Sequence, residues 1–455
     1  MVNKVNLREL VLGILLEINK EGQHSHLVIR STLEKYQYLE KQERAFLTRV
    51  CEGTLEYKLR LDYILDQYSS VPVEKMKPVI REILRSSVYQ LLYMDNVPDS
   101  AVCDEAVKLA RKKGFYNLTG FVNGVLRKVA RDYIGIIYTY THMGIYGRGL
   151  RKSAGVRPAG KDEGRNKMLE KTEKMLEAFL KEKPTTIRIR QHLVDKEAVL
   201  ESLKRQNVTV EPAPYAENAY YIKNYDYLPA LEAFRMGNIQ VQDVSSMLVG
   251  EVAAPTEGDY VIDLCAAPGG KTLCIADKLK GTGRIDARDI SRTKTDLIRE
   301  NAIRQNFLNV VVTEKDATQL DSESFEKADI LIADVPCSGL GVIGKKTDIK
   351  YSITQNGIAE LVNLQRKILE QASTYVKPGG TLIYSTCTIN KEENIENVRW
   401  FVENYPYELE SIDDYLCEEL RCDTTKEGYL QLLPGAHDCD GFFIARLKRK
   451  TEWNK

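Results

Sequence analysis

The chain has 455 residues, and at roughly 150 residues per domain this length predicts about three domains. Its composition is 43% hydrophobic and 29% charged, with 65 Lys and Arg residues balanced by 65 Asp and Glu residues. These values exclude a disordered tail and a globally basic nucleic-acid coat, but not a local basic surface. The chain has nine cysteines, an odd number, and none of them form a Cys-x-x-Cys pair. This favours a reducing cytoplasm over a disulfide framework.

No stretch of the chain has the length and composition of a membrane span. The longest run without a charged residue covers 133–147, whereas a span needs about 18 apolar residues. Two pairs of potential metal ligands, His24-x-His26 and the pair Cys417 and Cys422, lack a complementary pair at the spacing of a zinc site. We therefore expect a soluble, cytoplasmic protein with no membrane attachment and no metal, and we take a monomer as the default.

Residues 1–132 are predicted to form an all-helical domain of about five to seven helices. Apolar residues recur there at intervals of three and four, as in Leu7, Leu10, Val11, Ile14, Leu15 and Ile18. Basic residues cluster at 111–113 and 127–131, and they form either a solvated helix face or a patch that contacts phosphates.

Two segments of different character follow. Residues 133–165 contain many glycines and tyrosines with no sustained period, so we predict an irregular linker. Residues 166–240 predict a small α+β domain: an amphipathic helix, an alternating strand at 185–190, a second helix at 194–206, and short strands at 208–210 and 219–222. That order and size suit a split β-α-β module.

Residues 241–449 alternate between predicted strands and helices, which indicates an α/β domain with a parallel sheet. The strands are predicted at 260–264, 284–289, 310–313, 330–333 and 381–384. Two late strands, at 429–433 and 441–447, are predicted to add an antiparallel edge.

A glycine-rich turn links the first of these strands to a helix. Asp263 ends the strand, and it is followed by Cys265, Ala266, Ala267, Pro268, Gly269, Gly270 and Lys271. Ligands bind at the carboxyl ends of parallel strands, where glycine lets them approach the backbone. The turn lacks the first glycine of a phosphate-binding loop and also the G-x-G-x-x-G pattern. Taken alone, it is also compatible with an ordinary strand-to-helix turn.

Acidic residues stand at the ends of four successive strands. They are Asp263, Asp289, Asp316 and Asp334. Each one alone could be a helix N-cap or a solvated residue. Together on one rim of the sheet, they suit a cofactor with hydroxyl groups and an amine but no pyrophosphate, and S-adenosylmethionine is such a cofactor.

Two cysteines follow two of the predicted strands. Cys337 lies in Asp-Val-Pro-Cys-Ser-Gly, directly after Asp334, and Cys387 lies in Tyr-Ser-Thr-Cys-Thr. A free cysteine is usually an inert buried residue. Two of them at the same rim, beside a carboxylate, favour nucleophilic chemistry.

The three motifs together resemble those of the NOL/NOP2/Sun family of RNA cytosine-5 methyltransferases. The helical N-terminal part, with Phe-Val-Asn-Gly-Val-Leu-Arg at 121–127, resembles the fold of the antitermination factor NusB. The resemblance implies a Rossmann-like methyltransferase domain at 241–449, preceded by the small α+β domain and a NusB-like RNA-binding domain. It also implies small-subunit (16S) rRNA as the substrate and S-adenosylmethionine as the methyl donor.

The resemblance further implies a role for individual residues. Cys387 would be the nucleophile that adds to C6 of cytosine, and Cys337 would assist release of the product. Asp334 would contact the base and also border the cofactor. Residues 265–271, with Asp289 and Asp316, would hold S-adenosylmethionine.

Some features depart from the family pattern or leave alternatives open. After the first cysteine motif the family usually has a basic pair and proline, whereas this chain has Lys345-Lys346-Thr347, which predicts an altered RNA contact. A family anchor motif expected in 133–165 is missing. The catalytic residues do not separate 16S rRNA from tRNA or another rRNA, and a non-catalytic RNA-binding assembly factor is the alternative from a different class.

Overall fold

The computed structural model describes residues 5–143, 163–181 and 183–452. The chain divides into two compact units. The first comprises residues up to Asn166 together with Lys346–Asp348, and the second comprises Lys167–Lys345 and Ile349–Lys455.

The first unit is helical throughout its described residues. Its helices are α1 (Leu7–Glu21), α2 (Ser25–Lys35), α3 (Lys41–Glu56), α4 (Lys58–Tyr68), α5 (Pro78–Tyr93), α6 (Asp99–Lys112) and α7 (Thr119–Met143). α5 is buried on nearly all sides and contacts α1, α3, α4, α6 and α7. A helix that is enclosed in this way forms the centre of a bundle, and the predicted helical domain is therefore confirmed.

The irregular linker predicted for 133–165 is wrong at both of its ends. α7 continues to Met143, and α8 begins at Glu163 and ends at Leu180. Extending an existing helix needs no new nucleus, so a segment with weak periodicity still continues it. Residues 144–162, the rest of the predicted linker, lie outside the described residues.

After α8, the second unit contains a small antiparallel sheet. Its elements are β1 (Thr185–Ile189), α9 (Lys196–Arg205), β2 (Thr209–Pro212), β3 (Ala219–Lys223), the short helix α10 (Glu232–Arg235) and β4 (Ile239–Val241). The strand order is β2-β3-β1-β4. β1 and β2 are both antiparallel to β3, so they run parallel with one strand between them, which is the predicted split β-α-β arrangement. The sequence did not predict β4 or α10.

A buried carboxylate joins this small sheet to the following domain. Asp277 is 1% exposed and pairs with Arg188 (Nη1 to Oδ2, 2.9 Å) and Arg190 (Nε to Oδ1, 3.6 Å). The backbone N–H groups of Gln191 and His192 also donate to it, at 2.8 and 3.1 Å. Both guanidinium groups are almost fully buried, so each needs this carboxylate as its counter-charge.

Replacing Asp277 by alanine is expected to destabilise the chain by about 3–5 kcal/mol, because two buried guanidinium groups would lose their partner. Calorimetry would record this as a lower unfolding temperature. The control is Glu211→Ala, which removes an exposed pair with Lys223 and is expected to cost less than about 1 kcal/mol. Equal unfolding temperatures for the two variants would contradict the role given to Asp277.

The second and larger sheet carries the carboxyl-terminal domain. Its strands are β5 (Tyr260–Asp263), β6 (Arg284–Asp289), β7 (Val310–Glu314), β8 (Ala328–Asp334), β9 (Val376–Thr386), β10 (Tyr407–Leu409), β11 (Tyr429–Leu432) and β12 (Phe442–Arg449). The helices are α11 (Val244–Ala253), α12 (Gly270–Lys278), α13 (Arg292–Arg304), α14 (Ile349–Ser352), α15 (Gln355–Tyr375), α16 (Ile395–Asn404) and α17 (Asp423–Glu427).

The main path of this sheet has the order β10-β12-β9-β8-β5-β6-β7. β5 to β9 are parallel to one another, as predicted. β11 and β12 add the predicted antiparallel edge, of which β12 is the inner strand. It pairs with β9 along one side and with β10 and β11 along the other, because its eight residues are long enough to serve both.

Alternate residues of the strands pack into two separate cores. Val261 and Ile330 face α11 and α12, whereas Ile262 and Leu331 face α15 and α16. Both faces of the sheet are therefore covered, which explains why its strands are apolar throughout. None of the helices among the described residues has the length and apolar composition that crossing a membrane requires.

Candidate active site

The candidate site lies where the strand order of the large sheet changes direction. β5 has β6 on one side and β8 on the other, and the chain reaches β8 only after β6 and β7. In such sheets, ligands bind at the carboxyl ends of the strands beside this point. Asp263 is the last residue of β5 and Asp334 is the last residue of β8, so both predicted acids lie there.

The predicted glycine-rich turn joins β5 to α12. Cys265, Ala266, Ala267, Pro268 and Gly269 form the turn, and Gly270 and Lys271 are the first residues of α12. The Ala266 N–H donates to the Arg288 carbonyl at 2.8 Å, and the Ala267 N–H donates to Asp289 Oδ2 at 3.0 Å. Gly269 has a φ of 104°, a conformation that favours glycine. The turn is therefore fixed against β6 with its backbone close to the rim.

Asp263 is a buried acid with an unsatisfied oxygen. Its side chain is 1% exposed, and Oδ2 accepts a hydrogen bond from Thr272 Oγ1 at 2.6 Å. Oδ1 is buried without a hydrogen-bond partner among the described residues. Burial raises the pKa of Asp263 to about 7, and the negative charges of Asp334 and Asp289 contribute to the same effect.

This raised pKa predicts a pH-dependent stability. The folded chain holds the Asp263 proton more tightly than the unfolded chain, so the stabilisation is complete below about pH 4 and is lost as the pH rises through about 7. Asp263→Asn still accepts from Thr272 but cannot ionise. Between pH 5 and pH 8, without added cofactor, the unfolding temperature of the wild type should fall by about 5 °C more than that of the variant. Parallel declines would contradict the assignment.

Asp289 is the last residue of β6, and Asp316 lies two residues after β7 on the same rim. Asp289 is buried, and it accepts from the backbone N–H groups of Ala267 (3.0 Å) and Ile290 (2.8 Å) and pairs with Lys294 at 3.1 Å. Three donors leave room for one more hydrogen bond on this carboxylate. Within the described part of the chain, the hydrogen bonds of Asp316 are on Oδ1 alone, from the Thr318 N–H and hydroxyl. Each acid therefore keeps free capacity to accept a hydrogen bond.

Lys271 lies closer to the candidate catalytic acid than the sequence indicated. Its Nζ donates to Asp334 Oδ2 at 2.6 Å, and Ser385 Oγ donates to Asp334 Oδ1 at 2.8 Å. Burial acts to lower the pKa of Lys271, but the charge and hydrogen bond of Asp334, together with the charges of Cys387 and Asp263, outweigh it, so the pKa is raised and the ammonium stays protonated. Lys271 and Asp334 therefore form an ion pair between the glycine-rich turn and the end of β8.

The structure brings the two predicted cysteines into contact. Cys337 Sγ lies 3.2 Å from Cys387 Sγ, and both side chains are half-buried. The pKa of Cys337 is raised, first by its hydrogen bond with Cys387 and then by burial. The expectation that both cysteine loops lie on one rim is confirmed, because β8 and β9 are parallel neighbours.

A close backbone crossing holds the second cysteine loop. The Gly341 N–H donates to the Cys387 carbonyl at 3.0 Å, and the Gly441 N–H donates to the Gly341 carbonyl at 2.9 Å. A Cβ atom at position 341 would lie 1.9 Å from the Gly441 carbonyl oxygen, so only glycine fits. The loop after Cys337 is thereby anchored to the backbone of Cys387.

The basic pair that follows Cys337 is only partly available for a contact with RNA. Lys345 Nζ pairs with Asp243 Oδ2 at 2.6 Å and with Asp440 Oδ2 at 2.7 Å. Burial acts to raise the pKa of Asp243, but the charge and hydrogen bond of Lys345, together with the hydrogen bonds from Ser245, outweigh it and lower that pKa to about 2. Lys345 therefore anchors its loop to the start of α11 and to the segment before β12.

Sequence reasoning missed the polar residues behind the two cysteines. Ser338, Thr388 and Glu393 are buried and hydrogen-bonded to one another. In the sequence, Ser338 and Thr388 are marked only by their position directly after each cysteine. Glu393 has no such mark, because it does not stand at the end of a predicted strand. No group of three or more potential metal ligands occurs within the described part of the chain.

Comparison with known proteins identifies the two domains. The family model of 16S rRNA methyltransferase RsmB/F matches residues 251–448, and the NusB family model matches residues 5–131. The structure is also similar to the crystal structure of PH0851, with a TM-score of 0.79 and 25% identity, over 98% of this chain and 99% of that one. The fold and the site thus define a Rossmann-like methyltransferase domain combined with a NusB-like domain.

Two curated relatives extend over the whole chain. "Probable ribosomal RNA small subunit methyltransferase B" of Bacillus subtilis (strain 168) is 33% identical over 453 residues, which cover 99% of this chain and 100% of the relative. The protein of the same name from Synechocystis sp. (strain ATCC 27184 / PCC 6803 / Kazusa) is 29% identical, with 98% and 100% covered. The chain belongs to the family of ribosomal RNA small subunit methyltransferase B.

Proposed function

We propose that the protein transfers a methyl group from S-adenosylmethionine to C5 of a specific cytosine in 16S rRNA, through a covalent bond between Cys387 and C6. The observation that carries the proposal is the contact between Cys337 and Cys387, 3.2 Å apart, next to Asp334 at the end of β8. A base held at this point has two thiols and a carboxylate within reach. Family membership supports rRNA of the small subunit as the substrate.

The acids along the rim fit S-adenosylmethionine. Its ribose has two hydroxyl donors and its amino acid part has an ammonium donor, and Asp289 and Asp316 both keep free acceptor capacity. The buried Oδ1 of Asp263, which has no hydrogen-bond partner among the described residues, would be a further acceptor for these donors. Residues 265–271 would line this site through their backbone. The cofactor supplies an electrophilic methyl group on sulfur, and no metal is needed for this transfer.

Cys387 would begin the reaction as a nucleophile. C5 of cytosine is a poor carbon nucleophile, but addition of the Cys387 thiolate to C6 makes C5 enamine-like, so that C5 can attack the methyl group. After transfer, a base removes the proton from C5, the C5–C6 double bond forms again and the Cys387 thiolate leaves. Cys337 lies close enough to assist this last step.

Asp334 would act on the base and not on the cofactor alone. Its carboxylate is held by Ser385 on one oxygen and by Lys271 on the other. In this position it can accept a hydrogen bond from the N4 amino group of cytosine, and from N3 once N3 has taken up a proton in the adduct, while Lys271 supplies a positive charge beside it. The target cytosine must leave its stack to reach this site.

We also propose a division of labour along the chain. Residues 1–132 and the small domain at 166–240 would bind rRNA, and residues 241–449 would carry the chemistry, with 133–165 as the connection. The clusters of basic residues at 111–113 and 127–131 support RNA binding by the helical domain, because phosphates need only a local basic surface.

The test uses purified protein, S-adenosylmethionine and unmodified 16S rRNA, read by bisulfite sequencing. We expect one protected cytosine, which is absent when the cofactor is omitted. Protection only in tRNA or in large-subunit rRNA would replace the substrate in the proposal. No protection in any of the three, from a protein that unfolds cooperatively, would overturn the proposal in favour of a non-catalytic RNA-binding factor.

A further inference from the structure

A hydrogen-bonded cluster lies directly behind the two cysteines. The residue after each cysteine has a hydroxyl group, and these two residues, Ser338 and Thr388, are buried. Their oxygen atoms lie 2.7 Å apart. The loops after β8 and β9 are therefore joined at the position next to each thiol.

Glu393 completes this cluster from the turn before α16. Its carboxylate accepts from the Ser338 N–H at 2.8 Å and from Ser338 Oγ at 2.5 Å. The single proton of the Thr388 hydroxyl faces both Ser338 Oγ, at 2.7 Å, and Glu393 Oε1, at 3.3 Å. Gln365 of α15 donates to it at 3.1 Å and to the Pro336 carbonyl at 2.9 Å. One carboxylate thus receives donors from both cysteine loops and from the helix behind them.

Burying the carboxylate of Glu393 lowers the stability of the folded chain. The residue is 0% exposed, and within the described ranges it has no ion pair with Lys, Arg or His. A buried ionised carboxylate without a cation costs several kcal/mol unless hydrogen bonds compensate for it, and apolar residues of similar volume are often more stabilising. The donors that compensate for it are the groups adjacent to the two thiols, which points to a role at the site.

We propose that Glu393 is a positioning residue that sets the distance and orientation of the Cys337 and Cys387 thiols by binding both of their loops, an inference that rests on the proposed function. If either loop shifts, the thiol of that loop moves relative to the base. A displacement of about 1 Å is enough to lower a rate by about 100-fold. Glu393 therefore acts through the cysteines and does not touch the substrate.

The charge of Glu393 has a second effect on the thiols. The pKa of Cys337 is raised by its hydrogen bond with Cys387, by burial and additionally by the negative charge of Glu393. Removing the charge of Glu393 should lower the pKa of Cys337 and shift its alkylation to lower pH.

Three variants and one control test the proposal. Glu393→Gln keeps the shape but loses one acceptor oxygen and the charge, whereas Thr388→Val removes one hydroxyl and Thr388→Ser retains it. We expect Glu393→Gln to lower kcat by about 100-fold and Thr388→Val by about 10-fold, with KM for RNA and cofactor affinity within about 3-fold of wild type. Thr388→Ser should restore kcat to within about 3-fold. The control is Glu257→Gln, because Glu257 is exposed and precedes β5, at the end of the strand away from the site.

A second measurement does not depend on turnover. Dibromobimane bridges two thiols that lie close together, and mass spectrometry of the bridged peptides identifies Cys337 and Cys387. We expect wild-type protein to be bridged rapidly and Glu393→Gln and Thr388→Val to be bridged at least about 5-fold more slowly, at unchanged unfolding temperature. Iodoacetamide labelling of Cys337 against pH should shift to lower pH in Glu393→Gln.

The outcomes separate the two proposals. Wild-type turnover and wild-type bridging in both Glu393→Gln and Thr388→Val overturn the positioning role. If Glu393→Gln does not fold, the pair Thr388→Val and Thr388→Ser decides. If the wild type transfers no methyl group to RNA, the proposed function fails, whereas the bridging rates still decide whether Glu393 positions the thiols.

Discussion

Replacing Cys387 by alanine is expected to abolish methyl transfer, with a loss of more than about 1,000-fold in kcat, the scale on which removal of a covalent nucleophile acts in other enzymes. Without addition to C6, C5 of cytosine is not nucleophilic enough to attack the methyl donor. Cofactor binding should stay within about 3-fold, because the thiol lies on the β9 loop and the predicted cofactor residues, Asp334 apart, lie at or after the ends of β5, β6 and β7. Transfer is measured with a labelled methyl donor and 16S rRNA.

The matched control for this variant is Cys422→Ala. Cys422 is exposed and lies outside the site, so its loss should leave transfer unchanged. Retained turnover in Cys387→Ala would remove the assignment of the nucleophile, and Cys337 would then be the thiol to test. A loss of activity accompanied by a lower unfolding temperature would be ascribed to folding and not to chemistry.

Replacing Cys337 by alanine is expected to trap a covalent complex between the protein and RNA. Addition through Cys387 and methyl transfer remain possible, but the group that assists release is missing. The two sulfur atoms are 3.2 Å apart, so the side chain of Cys337 lies beside any base bonded to Cys387. We expect most of the protein to migrate as a slow band on a denaturing gel after incubation with rRNA and methyl donor.

The double variant Cys337→Ala, Cys387→Ala provides the control, because it retains the site but has no nucleophile and should give no slow band. Omission of rRNA should also remove the band. Full turnover in Cys337→Ala without any trapped complex would contradict the release role. In that case Asp334, the last residue of β8, would be the remaining group that can accept the C5 proton.

Much of the fold could be predicted from local patterns. The strand 284–289 was predicted with the bounds that the structure has, and 185–190 and 429–433 were each one residue too long. In such segments apolar and polar residues alternate, or a short run is entirely apolar. This pattern depends only on which residues face a core, so it can be read from the local sequence. The antiparallel edge formed by β11 and β12 was predicted, but β10 was not, because its three residues are too short a run to carry a pattern. The end of α7 was missed because helix extension depends on the preceding helix more than on local pattern.

The candidate site divides in the same way. The amino-acid sequence by itself determined that acids end the successive strands and that two cysteines follow β8 and β9, because parallel strands bring their carboxyl ends to one rim. Only the tertiary structure decided that Lys271 pairs with Asp334, that Lys345 is held by Asp243 and Asp440, and that Glu393 binds both cysteine loops. These partners are up to 102 residues apart in the chain. Hydrogen bonds and ion pairs act over about 3 Å, so spacing along the sequence carries no signal for them.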